Sequence, residues 1–165
     1  DFDDIKCQTH SRKKIFGLCD DPPPSINPAY IDESNGAIWI AVVENDYKYN
    51  TTFTAIDNCI DLIRYDGKMD KRCDGMLTYN TTVVFVELKV RGGYGNEWVK
   101  EAEKQIKTSI HYFETTAAVH KYTSKKAYIA NKAHPKFKVS QARRMDQFFI
   151  DTGYVLRIIN RIRLD

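Results

Sequence analysis

Three residues in one stretch have the types and spacing to do chemistry together: Asp74, Glu87 and Lys89. Two carboxylates brought side by side repel each other unless a cation lies between them. Mg²⁺ is commonly held by one or two carboxylates plus substrate phosphates. An ammonium beside such a pair can neutralise charge that develops on a phosphate. Whether the three residues meet depends on the strands that carry them. Val83 to Val86 is β-branched and aromatic and reads as a buried strand. It runs into Glu87-Leu88-Lys89 without a breaker, and strand alternation puts Glu87 and Lys89 on one face and Leu88 on the other. A second strand is expected from Asp74 to Tyr79, with the turn at Asn80-Thr81, where Asn tolerates turn geometry. Counting back from a two-residue loop, Asp74 falls directly opposite Glu87, with side chains about 4.5–5.5 Å apart. Like charges in that position are destabilising, and a divalent cation would offset the repulsion. The plainer reading is a solvated hairpin face, but it leaves unexplained why the charges interrupt the most apolar strand of the chain.

The pattern Asp-x12-Glu-Leu-Lys resembles the catalytic motif of the PD-(D/E)xK nuclease superfamily, which includes restriction endonucleases, Holliday-junction resolvases and the nuclease domains of recombination helicases. The Pro-Asp step of the family reads Cys73-Asp74 here. The resemblance implies an α/β fold with a restriction-endonuclease-like core, a central mixed β-sheet flanked by helices. It implies Mg²⁺ or Mn²⁺ held by Asp74, Glu87 and the Leu88 backbone carbonyl, with Lys89 positioning the attacking water. It also implies a helix ahead of the catalytic strands that carries a further acid. Asp57 is the candidate there, with Glu44 and Asp61 as rivals. Residues 51–64 are ambiguous, however. Phe53, Ile56, Ile60 and Ile63 fit a helical stripe, whereas Thr51, Thr52 and Thr54 favour a strand.

Downstream of the hairpin, Arg91-Gly92-Gly93-Tyr94-Gly95-Asn96 is a glycine-rich connector without the Lys-Ser/Thr ending of a P-loop. Asn96 is a suitable N-cap for a helix running to about Glu114, with Trp98, Ala102, Ile106, Ile110 and Phe113 as its apolar stripe. Gln105 lies beside that stripe. The resemblance makes it a residue near the metal, and its alternative is a boundary residue at the helix edge. Lys100 and Lys104, continued by Lys107 and His111, form a separate line that could contact phosphates or simply be solvated. Ala127–Ala130 reads as a strand. Ser140 could cap a helix from Gln141 to Asp151 that Gly153 stops, and Tyr154 to Leu164 alternates as a final strand. Upstream, Ala37–Val43 reads as a strand, and residues 1–36, with their Pro22-Pro23-Pro24 break, as an extension packing on a core that spans 37–165.

The 165 residues suit one domain, and 42% apolar residues with ten Tyr and eight Phe can build a real core. Net charge is only +3, but residues 121–165 hold eleven Lys and Arg against three Asp. That asymmetry fits nucleic-acid binding by one side of the molecule, with Arg91, Arg143 and Arg144 joining Lys100 and Lys104 as contact candidates. No apolar run approaches the roughly 18 residues of a membrane span. The acidic N-terminus lacks a signal-peptide pattern, so a cytoplasmic protein is expected. Cys7, His10 and Cys19 could begin a zinc site but lack a second pair. Free thiols are the favoured reading for all four cysteines. The Asn50 and Asn80 sequons read as coincidence.

The expected function is a Mg²⁺-dependent deoxyribonuclease, an endonuclease of junction-resolvase, repair or defence type. DNA is the expected partner, a homodimer would cut two strands, and the N-terminal extension could meet a protein partner. The alternatives are a catalytically silent nucleic-acid-binding protein on the same fold and a small protein-interaction module.

Overall fold

The computed structural model describes residues 1–93, 95–135 and 140–165. Tyr94 of the glycine-rich connector, and Lys136 and Lys138 of the basic C-terminal run, lie outside the described residues.

The chain folds around the expected hairpin. Strands β6 (Gly75–Tyr79) and β7 (Thr82–Lys89) pair antiparallel from Tyr79↔Thr82 to Gly75↔Val86. Asn80 takes a left-handed φ of 47° in the two-residue turn, a conformation that Asn tolerates better than most residues. Two further antiparallel strands extend this sheet on one side, β1 (Gln8–Ser11) and β5 (Thr51–Ala55). On the other side, β8 (Ser124–Asn131) and β9 (Val155–Ile158) continue it in parallel. The order is β1-β5-β6-β7-β8-β9, a mixed six-stranded sheet. Its parallel steps are bridged by α1 (Glu97–Glu114) and α2 (Ala142–Thr152). Parallel neighbours need such long crossovers, because a tight turn cannot return the chain in the same direction.

A second sheet, of order β10-β4-β2-β3, is built from β2 (Ile15–Cys19), β3 (Tyr30–Asp32), β4 (Ala41–Glu44) and β10 (Arg161–Arg163). The two sheets and the helices make three layers. One face of the six-stranded sheet, through Met76, Val83, Phe85 and Ile129, packs against Ala102, Ile106, Phe113 and Phe148 of the helices. The other, through Phe53, Leu77, Val84, Val86 and Leu88, packs against Phe16, Leu18, Val43 and Ile162. β7 is thus buried on both faces, which explains its nearly unbroken apolar run. The α/β class and the mixed central sheet agree with expectation. The covering differs: both α-helices share one face, and the second sheet occupies the face where a helical layer was expected.

Several local expectations are corrected. Among the described residues no α-helix precedes the hairpin. The β-branched run from Thr51 forms β5 between β1 and β6, so sheet pairing overrides the helical spacing of Phe53, Ile56 and Ile60. Ala37–Val43 is not one strand. A 3₁₀ turn at Gly36–Ile38, capped by the Asn35 side chain, bends the chain before β4. Trp39 follows it and packs over Gly17, where a Cβ would fall 1.9 Å from the indole. The final segment is two strands in different sheets, and its alternation breaks at Ile159-Asn160. The helix at 142–152 ends at Gly153 with φ 78°, as expected for a glycine stop. The first 36 residues contribute β1 to the large sheet and β2 and β3 to the small one.

Cys7 and Cys59 form a disulfide, which corrects the free-thiol reading for both and the zinc reading for Cys7, while Cys19 and Cys73 are free and buried. Cross-links of this kind persist in oxidising surroundings; in a reducing cytoplasm the two thiols would remain as packed neighbours. No helix among the described residues is long and apolar enough to cross a membrane. The bridge spans 52 residues of sequence, so removing it frees a long loop in the unfolded chain. The double replacement Cys7→Ser/Cys59→Ser should lower the unfolding free energy by about 2–4 kcal/mol, read as an earlier urea midpoint under non-reducing conditions. An unchanged midpoint would show that the purified protein does not carry the bridge.

Candidate active site

Asp74 and Glu87 meet at the open end of the hairpin, as the register requires. Both are buried, at 7% and 2% exposure. The Asp74 backbone N–H donates to Glu87 Oε1 at 3.0 Å, and the Leu88 N–H donates to Asp74 Oδ2 at 2.6 Å. Each carboxylate is therefore anchored by the backbone of the other strand. Lys89, on the same face as Glu87, places its Nζ 3.0 Å from Glu87 Oε2 and donates to Gln105 Oε1 at 3.2 Å.

The positions of these side chains are set by α1. Ser109 Oγ accepts the Cys73 N–H at 2.9 Å, fixing the backbone one residue before Asp74. Gln105, one turn earlier, holds Lys89 and reaches the Arg72 carbonyl at 3.5 Å. From the other side, the Ile56 and Asp57 N–H groups donate to the carbonyls of Asp74 and Cys73. Gly75 is required because a Cβ there would fall 2.6 Å from the Thr54 carbonyl oxygen and 2.4 Å from the Phe53 ring. Ser109 was missed from sequence, where it reads as an ordinary boundary serine; only its spacing of four from Gln105 hinted at a shared face.

Electrostatics mark the pair further. Burial, then the facing Glu87, then Asp20, push the Asp74 carboxyl well above the usual carboxylate range. Burial also raises Glu87, against the pull of Lys89. Burial is the first cause in both, so the pair holds a proton more tightly than free carboxyls do. Asp20, at the end of β2, is the acid that sequence reasoning overlooked. Burial, with Asp57 and Asp21 nearby, raises it to about 6. Its only signal in sequence was an acid closing the apolar run of β2.

The remaining candidates are dispersed. Asp57 is part-exposed and paired with Arg72 at 3.1 Å. Asp61 is 4.0 Å from the same guanidinium. Glu44 lies in the second sheet and pairs with Arg161 and Arg163, each at 3.2 Å. Lys104, Arg91 and Arg143 are exposed, and the Arg91 carbonyl accepts from Asn131. Lys100 pairs with Glu97. Arg144 is engaged by Glu103 and Gln141, which leaves its charge less available to a phosphate.

Among the described residues no three His, Cys, Asp or Glu side chains gather into a metal-binding group. The donor set is two buried carboxylates, with Leu88 between them. That suits a hard ion completing its shell with water and substrate oxygens, and does not suit a closed zinc site. Comparisons with protein-family models, curated proteins and solved structures find no match for this chain.

The raised carboxyl has a consequence for stability. Folded Asp74 keeps its proton at pH values where the unfolded residue, near 3.9, has released it. The site therefore favours folding most below about pH 4, and that contribution is lost as pH rises through the folded value. Asp74→Asn retains an acceptor for the Leu88 N–H without a titrating group. In EDTA at pH 8 it should melt higher than wild type, each 1 kcal/mol appearing as roughly 2–4 °C, and the gap should close toward pH 4. A thermal-shift series in which the variant melts lower at pH 8 would contradict this account of the site.

Proposed function

We propose that the protein is a metal-dependent nuclease of the PD-(D/E)xK type, hydrolysing phosphodiester bonds at Asp74, Glu87 and Lys89. One observation carries the reading: two buried carboxylates face each other across a hairpin, with a lysine 3.0 Å from one of them. Holding such a pair together without a cation costs stability, an arrangement that function rather than folding accounts for. The order from β6 onward, strand, strand, helix, strand with β8 parallel to β7, supports a restriction-endonuclease-like core. The strand β5 and the second sheet depart from the helix that the family places upstream.

In this reading Asp74 and Glu87 hold Mg²⁺ or Mn²⁺, with the Leu88 carbonyl as a further oxygen ligand. The ion would supply Lewis-acid polarisation of the scissile phosphate. Lys89 keeps its ammonium beside the reacting phosphate because Glu87 and Gln105 hold it from two sides, and it offsets charge developing on the phosphoryl oxygens. Gln105 is a positioning residue for Lys89. Ser109 positions Asp74 through the Cys73 backbone. DNA is the favoured substrate by analogy alone, with exposed Lys104, Arg91 and Arg143 as backbone contacts.

The deciding assay incubates the protein with linear, circular and branched DNA in Mg²⁺ or EDTA. Cleavage should require Mg²⁺, and Asp74→Asn and Lys89→Ala should each reduce it by at least about 100-fold, the scale of losing an electrostatic catalytic group. The rate should rise with pH as Asp74 gives up its proton to make way for the ion. Variants as active as wild type would end the nuclease reading. Separately, Ser109→Ala strands a buried N–H, a defect that costs about 1–3 kcal/mol. It should lower the urea midpoint and reduce kcat more than it raises KM.

A further inference from the structure

Beside the carboxylate pair lies a groove that the nuclease reading leaves unused. Its floor begins one residue past Lys89, since the Lys132 N–H donates to the Lys89 carbonyl at 2.8 Å and Val90 and Lys132 both line the groove. Its opposite wall is the end of β2, Asp20 and Asp21, with Tyr30 from β3 and Ile38 from the 3₁₀ turn. Asp20 ties the two places together, because its charge bears on both Asp57 and Asp74. The wall is held in place. Lys132 Nζ donates to the Ala37 carbonyl at 2.6 Å, Trp39 Nε1 donates to Asp32 at 2.9 Å, and Trp39 packs on Gly17.

Three properties select the ligand. The volume is about 350 Å³, near the lower end for small-molecule sites; it suits one nucleoside-sized group and excludes a duplex. Two of its walls are apolar side chains left open to solvent, Ile38 at 41% and Val90 at 46% exposure, and with the Tyr30 ring they offer flat contact. The polar edge carries two carboxylates, Asp20 and Asp21, which repel phosphate; Asp21 already accepts from Asn27 Nδ2 at 3.3 Å and from the Tyr30 hydroxyl at 3.4 Å, and its remaining lone pairs can accept from a further N–H donor. A carboxylate accepting from an exocyclic amino group is a recognised way to read a base, and aromatic or apolar stacking holds unpaired bases without regard to sequence.

We propose that this groove receives a single unstacked nucleobase bearing an exocyclic amino group, from the nucleotide next to the scissile phosphate. The inference rests on the nuclease reading and narrows its substrate class to single-stranded, frayed or branched nucleic acid, where a base can leave the stack. Asp21 takes the amino group, Tyr30, Ile38 and Val90 bracket the ring, and the neighbouring phosphate lies toward Lys89.

The test compares cleavage in Mg²⁺ at pH 8 of single-stranded dC12 and dT12 and of a blunt 12-base-pair duplex. Wild type should show kcat/KM at least about fivefold higher on dC12 than on dT12, within the range that one base-specific contact supplies, and should cut the duplex more slowly than dC12. Asp21→Asn should bring dC12 to within about twofold of dT12. Equal rates on dC12 and dT12, a duplex cut as fast as dC12, or a preference that survives Asp21→Asn would overturn the groove assignment and leave the nuclease reading intact. If no strand is cut, it is the nuclease reading that fails. The groove is then judged by NMR titration with dCMP and TMP: chemical-shift changes at Ile38 and Val90 for dCMP and weaker ones for TMP support it, and none, or equal ones, overturn it.

Discussion

Everything at the working end of this molecule depends on the register of one hairpin. A two-residue turn at Asn80-Thr81 sets Tyr79 against Thr82, and the pairing carries through to Gly75 against Val86. One step further, the carboxylates of Asp74 and Glu87 arrive opposite each other inside the protein. Their repulsion is unfavourable, and the fold tolerates it because the rest of β6 and β7 is buried against two hydrophobic clusters. The surrounding hydrogen bonds from Leu88, Ser109, Gln105 and the Ile56–Asp57 backbone hold the pair in place.

The parts that could be read from the residues are those decided locally. Val83–Val86 is apolar on both faces, so β7 could only be a central strand. The stripe from Trp98 to Phe113 places α1 by its 3.6-residue spacing and Gly153 places the end of α2, whereas the Asn96 side chain makes no cap hydrogen bond and α2 starts after Gln141 rather than Ser140. Asp74, Glu87, Lys89 and Gln105 were legible because alternation and helical phase are short-range rules. What escaped reading depends on partners distant in sequence. Thr51–Ala55 has a helical stripe, yet β1 on one side and β6 on the other offer it backbone partners that a helix would forgo. Ile159-Asn160 looks like the middle of a strand, but β9 joins one sheet and β10 the other. Asp20 falls in the stretch read only as an extension, and the packing of β2 beneath the large sheet brings its charge to bear on Asp74.

The second sheet gives the molecule its own character. It replaces a helical layer on one face of the central sheet and brings Asp20, Asp21, Tyr30 and Ile38 to the side of the carboxylate pair. The basic residues that suggested phosphate contact are unevenly placed around that centre. Arg144, Arg161 and Arg163 are occupied by Glu103 and Glu44, while Lys104, Arg91 and Arg143 face solvent. The charge bias of the C-terminal region thus serves structure as well as any ligand.

The tightness of the Asn80-Thr81 turn also limits how this chain can change in length. Adding or removing one residue there would slide β6 by one place against β7, and because strand side chains alternate, it would exchange the residues that face the two hydrophobic clusters and separate Asp74 from Glu87. The connector from Arg64 to Arg72, by contrast, folds back on itself through the Arg64–Lys68 backbone contact and can absorb insertions before β6 begins. Among descendants of this sequence, length variation should accumulate in that connector and be purged from the turn, so that the far tip of the hairpin, the end opposite the Asp74–Glu87 pair, is among the least free to drift.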